Sequence, residues 1–422
     1  MSRLTPALLF FVALGITVTA APPVNVEWNP PNLPPAPLEG PSLCVGAYLE
    51  PAQGQAMLNA ALARFPDRAS WDAYAAHLRQ RIQENIGLSP WPQRTPLNAI
   101  IRSKRVYDGY TVENVAFESV PGYFVTGNLY RPLNAKPPFA VILSTHGHGS
   151  RVKKPADFEN QGRFTASVQA RGGTFARLGA IVLSIEMVGY GDSIAQVGEA
   201  AHKRPFTQTL QTWNAVRALD FLLSLEGADP TRVAVSGESG GGTQTFLLTA
   251  LDPRVTLAAP VVMVSSYFFG GCACESGLPV HRSKDHFANN AMIAALAAPR
   301  PLLVVSDGQD WTQHVPQIEF PFLQQIYGYY GVPQNTANIH LAAEGHDYGP
   351  SKRAAVYRFI AAHFRLDLAR TLDAAGGIDE SHITNEHHGP LHVFNEKFSL
   401  PPDAPQDIAM IERTLQQLQR RV

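Results

Sequence analysis

Gly237-Glu238-Ser239-Gly240-Gly241 sets one serine between glycines in the pattern G-x-S-x-G. The apolar run Val233-Ala234-Val235 precedes it, and a helical pattern over 243–250 follows. A nucleophile elbow needs that context, because its glycines let strand, helix and substrate crowd a strained turn from which the serine is thrust outward. Ser239 is the candidate nucleophile, and the N–H of Gly240 is the first candidate donor to an oxyanion. Gly-rich turns also cradle phosphates, but no Gly-Lys-Ser/Thr follows Gly242, and Glu238 would repel a phosphate.

A serine hydroxyl needs a base and a group that orients the base. The apolar run 301–306 leads into Asp307-Gly308-Gln309-Asp310-Trp311, and a later loop reads Glu344-Gly345-His346-Asp347-Tyr348-Gly349. Asp310 is the candidate acid and His346 the candidate base, in the chain order serine, acid, histidine. Asp307, next to Gly308, suits shaping the turn by accepting backbone amides. Asp347 adjoins the histidine too closely to aim a hydrogen bond at its ring. Glu275, beyond the run 255–264, is the alternative acid and a candidate pocket residue. His146-Gly147-His148-Gly149 follows the apolar run 140–144, and the His148 amide is the second candidate oxyanion donor. Histidines spaced i,i+2 beside glycine, with no nearby cysteine or carboxylate in sequence, suit this backbone role better than a metal site. Trp311 and Tyr348 adjoin the acid and the base and are candidates for contacting substrate. No metal and no organic cofactor is expected.

Positioning these groups requires a sheet. Short β-rich runs at 112–120 and 123–130 flank Pro121-Gly122, a hairpin signal. Apolar runs at 140–144, 180–185, 233–236, 255–264, 302–306 and 337–342 then alternate with helical patterns. The helices are expected at 164–178, 207–225, after Ser239, at 316–330 and at 351–364. Apolar strands alternating with helices predict a parallel sheet covered on both faces. A helix over 71–86, with Ser70 as its N-cap, comes before the sheet. After Arg370 the periodicity fades, and His382, His387, His388 and His392 stand among Gly-Gly and Gly-Pro without ligand spacing, which reads as solvated loop.

Composition narrows the function classes. With 34 basic and 35 acidic residues among 422, the net charge of −1 supplies no field for nucleic acid. A 45% hydrophobic, 16% charged chain is a folding one. Arg3, the apolar run 8–18 and the small residues 17–21 read as a signal peptide over 1–20, so the expected location is secreted or periplasmic, with no stable membrane insertion after cleavage. Residues 21–69 read as a Pro-rich lead-in, 70–367 as the catalytic domain and 368–422 as a C-terminal tail. Cys44, Cys272 and Cys274 cannot build a disulfide framework. One structural disulfide comes first, ahead of free buried thiols or a zinc site with His281 and His286.

Four segments in order, His146-Gly147-His148, 186–193 (Glu-Met-Val-Gly-Tyr-Gly-Asp-Ser), the Ser239 elbow and the Asp310/His346 pair, resemble the α/β-hydrolase superfamily. The likeness is to secreted acetylxylan-esterase-like and dienelactone-hydrolase-like enzymes, over roughly residues 100–367. It implies an α/β-hydrolase three-layer sandwich with a mostly parallel eight-stranded sheet. It also implies a serine hydrolase cleaving a small ester or an acylated polysaccharide through an acyl-enzyme. The elbow lacks the Gln after serine usual in acetylxylan and cephalosporin deacetylases, and it lacks the Ser-Arg of glucuronoyl esterases. Uronate methyl esterase, prolyl-oligopeptidase-like peptidase and catalytically silent binding protein are the alternatives. Tyr267, Phe268 and Phe269 suit either a pocket wall or the core, with the core favoured. The polar stretch 278–298 is expected to suit hydroxyl-rich sugars. Oligomeric state is not legible.

Overall fold

A computed structural model describes residues 25–28, 30, 33, 43–148, 161–402, 404 and 407–420. The expected signal peptide and most of the Pro-rich stretch up to residue 42 lie outside the described residues. The sheet has nine strands rather than the expected eight: β1 (Ile100–Tyr107), β2 (Tyr110–Val120), β3 (Tyr123–Pro132), β4 (Phe139–Ser144), β5 (Ile181–Ile185), β6 (Ala228–Glu238), β7 (Leu257–Val261), β8 (Leu302–Asp307) and β9 (Thr336–Leu341). Their order is β1-β2-β3-β5-β4-β6-β7-β8-β9. β1 to β3 form an antiparallel meander that joins β5 antiparallel, and β5 to β9 are parallel.

Alternation of side chains across the parallel strands separates two cores. Val141, Leu143, Val233 and Val235 face the helices Phe206–Ser224 and Gly240–Leu251. Ala140, Ile142, Ala234 and Leu303 face Phe175 of Ala166–Arg177 and Tyr357 of Pro350–Phe364. Both faces are therefore apolar, which is why these strands lack a polar side. The chain goes from β4 outward to β5 and returns past β4 to β6, so the sheet reverses direction at β4. The crevice beyond the C-terminal ends of β4 and β6 is where such sheets bind ligands.

Order begins earlier than residue 70, with the helix Pro51–Arg64. Arg68–Asn85 follows, and its N-cap is Asp67 rather than Ser70: the Asp67 carboxylate accepts the Ser70 N–H at 2.9 Å, and Ser70 is the third helical residue of a capping box. Helix Ile408–Gln419 inserts Ile408, Ile411, Leu415 and Leu418 into the larger core. His392 is not a solvated loop residue, since its Nδ1 lies 2.7 Å from Asp192 Oδ1. Among the described residues, no helix is long and apolar enough to cross a membrane.

Candidate active site

Ser239 sits between β6 and the helix Gly240–Leu251 with φ +74°, a backbone state that L-residues rarely adopt. The flanking glycines are required by approach. A Cβ on Gly237 would stand 2.6 Å from the Thr145 carbonyl oxygen, and one on Gly241 would stand 2.9 Å from that of His146. The Ser239 N–H donates to Val261 C=O at 3.1 Å, pinning the turn to β7.

The three groups expected to work together do meet. Ser239 Oγ lies 3.0 Å from His346 Nε2, and His346 Nδ1 lies 2.6 Å from Asp310 Oδ2. Asp310 comes from the turn after β8, where its other oxygen accepts the Thr312 N–H at 2.5 Å and the Thr312 hydroxyl at 2.6 Å. Its carboxylate is thus held from one side and aimed from the other. An acceptor below Nδ1 puts the proton there and leaves the Nε2 lone pair for the serine hydroxyl. Asp307 shapes the turn: it accepts the Gln309 N–H at 3.1 Å and lies 3.3 Å from the buried Lys352 ammonium. Asp347 pairs with the same lysine at 2.8 Å.

Gly240 opens its helix, so its N–H precedes the first intrahelical bond and is free for another acceptor. His148 stands above it: a Cβ on Gly240 would lie 2.7 Å from His148 Cε1. His146 is a spacer under this loop, its Nε2 accepting the Met187 N–H at 3.0 Å. His148, Ser239, Phe268, Gly271, Cys272, Glu275 and Trp311 line a cleft of about 240 Å³. Trp311 stacks on Phe268 at 3.9 Å and packs 4.4 Å from the His346 ring, so these two aromatics wall the base. Phe268 is therefore pocket wall, while Tyr267 and Phe269 are buried in a small core with Cys44, Leu49 and Met57.

Other expected site residues fall elsewhere. Tyr348 does not line this cleft. It is buried, with its hydroxyl 2.8 Å from that of Ser236 and its ring under the Arg171 guanidinium. Glu275 lines the cleft but does not orient the base. Its carboxylate accepts the Gly271 N–H at 2.7 Å, and burial pushes its pKa up to about 7. Several polar residues of 278–298 serve the interior and do not line the cleft: His281 bonds Asn290 at 2.8 Å, and Asn289 caps the helix Asn290–Ala295. Cys272 and Cys274 are joined in a disulfide, and Cys44 is a free buried thiol whose pKa burial raises to about 12.

Some residues around the site carried no sequence signal. Arg171 holds Glu238, the residue before the serine, at 2.7 Å. Although no cysteine is near His148 in sequence, the fold brings it two, and His202 packs its ring 5.0 Å away. Burial pushes the pKa of His148 down to about 4 and that of His202 to about 3, so both are neutral imidazoles at pH 7.

A doubly covered parallel sheet with a strained serine at its crevice, facing a histidine and a carboxylate, defines an α/β-hydrolase. The acetyl xylan esterase family (AXE1) matches residues 74–269. The solved structure of Methylesterase BT1017 is 39% identical, with a TM-score of 0.79 over 88% of this chain and 82% of that one. The chain belongs to the α/β-hydrolase esterases and is a carboxylic ester hydrolase. The Glucuronoyl Esterase from Solibacter usitatus shares the fold at 18% identity and TM-score 0.53, covering 71% of this chain and 94% of that one. YtaP of Bacillus subtilis (strain 168), named as a hydrolase, is 23% identical over 178 residues, 40% of this chain. That match spans 58% of the relative's own length.

Proposed function

We propose that the chain is an exported carbohydrate esterase working through an acyl-enzyme on Ser239. The observation that carries this reading is the His346 ring spanning Ser239 at 3.0 Å and Asp310 at 2.6 Å. Ser239 gives its proton to His346 Nε2 as Oγ attacks the ester carbonyl carbon, and the N–H groups of Gly240 and His148 receive the oxyanion. His346 passes the proton to the departing alkoxide. Water, deprotonated by the same nitrogen, then releases the acid. Asp310 holds the tautomer and balances the imidazolium.

Within that chemistry, the 39% identical methylesterase favours a methyl ester as the bond cleaved, with methanol as the first product. The acetyl xylan esterase match over 74–269 supports a second reading, removal of acetyl groups. The Phe268–Trp311 stack beside the serine suits the apolar face of a sugar in either case. A silent binding protein would have no need of an aligned Ser-His-Asp set. The test is release of methanol from methyl-esterified uronates and of acetate from acetylated xylan, with nitrophenyl acetate, butyrate and decanoate as references. Methanol release supports the first reading and acetate alone the second. Preference for decanoate overturns both.

A further inference from the structure

Four donor atoms on three separate segments converge beside the candidate nucleophile. His148 Nε2 lies 3.1 Å from Sγ of both Cys272 and Cys274. His202 Nε2 lies 3.8 Å from Cys272 Sγ, and all four atoms fall within 4.8 Å of one another. A tetrahedral zinc with Zn–S of about 2.3 Å and Zn–N of about 2.0–2.1 Å separates its nitrogen and sulfur ligands by roughly 3.5 Å. The nitrogen-to-sulfur spacings bracket that value. His202 is also preset for the role. Its Nδ1–H donates to the Val188 carbonyl at 2.8 Å, which fixes the ring and turns the Nε2 lone pair toward the sulfurs, the outer-shell device found behind metal-binding histidines.

The geometry points to a zinc-type divalent metal site formed by His148, His202, Cys272 and Cys274 when the cysteine pair is reduced. A thiol reductant supplies two electrons and two protons, opening the S–S bond to two thiols and becoming a disulfide itself. The two thiols release their protons to solvent as the ion binds. Four protein ligands close the coordination shell, so the ion is structural and generates no hydroxide. It ties the loop after β4 to the turn Glu199–Lys203 and to the helical turn Ala273–Ser276. That clamp fixes the His148 ring against Gly240, where the elbow's helix begins. The site is independent of which ester is cleaved.

The full chain, purified under a thiol reductant and stripped with a chelator, is titrated with Co²⁺ and then Zn²⁺. Expected are one equivalent of cobalt per chain, a thiolate-to-cobalt charge-transfer band, ligand-field bands of tetrahedral cobalt, and displacement of both by zinc. Thiol counting then finds Cys272 and Cys274 reactive in the reduced metal-free chain and protected once the ion is bound, while the buried Cys44 reacts in neither state before unfolding. His202→Ala weakens cobalt affinity by at least about tenfold, and the double change Cys272→Ser/Cys274→Ser abolishes the charge-transfer band. A reduced wild-type chain that shows no such band, or a band indifferent to His202→Ala, overturns the assignment. The wild-type titration decides the matter even where a variant fails to fold.

Discussion

Ser239 holds its hydroxyl forward at the cost of an unfavourable backbone state, φ +74° in a residue with a Cβ. Strain of this kind costs about 1–3 kcal/mol. Ser239→Gly should therefore raise stability by about 1 kcal/mol while Ser239→Ala leaves it nearly unchanged, as denaturant unfolding will show. Both should lower ester hydrolysis by about 10⁴ or more, and an alanine variant keeping above about a hundredth of the rate would end the nucleophile assignment. Asp310→Asn should cost about 10⁴ in kcat, because the imidazole loses its tautomer control and its counter-charge. Glu275→Gln should cost far less, since its carboxyl is bonded to the Gly271 N–H instead of the His346 ring. Equal losses would move the acid to Glu275. Ser239 and Asp310 were legible because each follows an apolar strand, and His346 because it stands in the loop after the next strand, where the chain order serine, acid, histidine expects a base. Tyr348 misled for a local reason: it stands two residues from the base, but its ring turns inward to Ser236. Arg171 and His202 were hidden because their partners lie 67 and 70 residues away, and no spacing rule reaches that far.

The element that departs most from its sequence reading is the segment around 388–393. It packs through backbone acceptors: the Arg163 guanidinium donates to Leu391 C=O at 2.8 Å, and the Asn114 amide donates to Pro390 and His392 carbonyls at 2.9 and 2.8 Å. Such anchoring leaves no hydrophobic period, so the stretch resembles open loop. Its charged anchor is Asp192, buried 2.5 Å from Arg163. Burial by itself would raise the Asp192 pKa, yet the His392 bond, the Arg163 charge and the Val393 N–H together hold it below the usual carboxylate range. A depressed carboxylate contributes stability above its unfolded pKa of about 3.9 and loses it as pH falls through the folded value. Asp192→Asn should thus cost about 3 kcal/mol at pH 7, and the two unfolding curves should converge as the pH drops below about 4. A difference that stays constant from pH 7 to pH 3 would contradict this account.

For the molecule as a whole, the doubly covered sheet was readable because its central strands are apolar throughout. The ninth strand was not. β1 is an edge strand in which every residue keeps some exposure, and its register breaks between Arg102 and Arg105, so neither alternation nor an apolar run marks it. The helix Ile408–Gln419 was missed as well: in a stretch read as a tail of fading periodicity, Ile408, Ile411, Leu415 and Leu418 form an amphipathic stripe buried in the larger core. Leu415→Ala should cost about 2–5 kcal/mol while leaving kcat of the folded enzyme unchanged, because the side chain is buried in the core and does not line the cleft. A matching fall in kcat would mean that the two regions are coupled.

Arg163 and Leu391 are 228 residues apart, and their bond closes the polar cage around the Arg163 guanidinium. The elbow, the loop after β4 and every strand of the sheet precede residue 391 in the chain. Without it a guanidinium and two carboxylates, Glu186 and Asp192, lack the lid that buries them. The cluster is therefore completed by the C-terminal stretch, last in the chain, however early the sheet and the elbow take shape. A chain cut short before residue 391 would keep every group of the Ser239–His346–Asp310 set and lose the acceptor that holds Arg163.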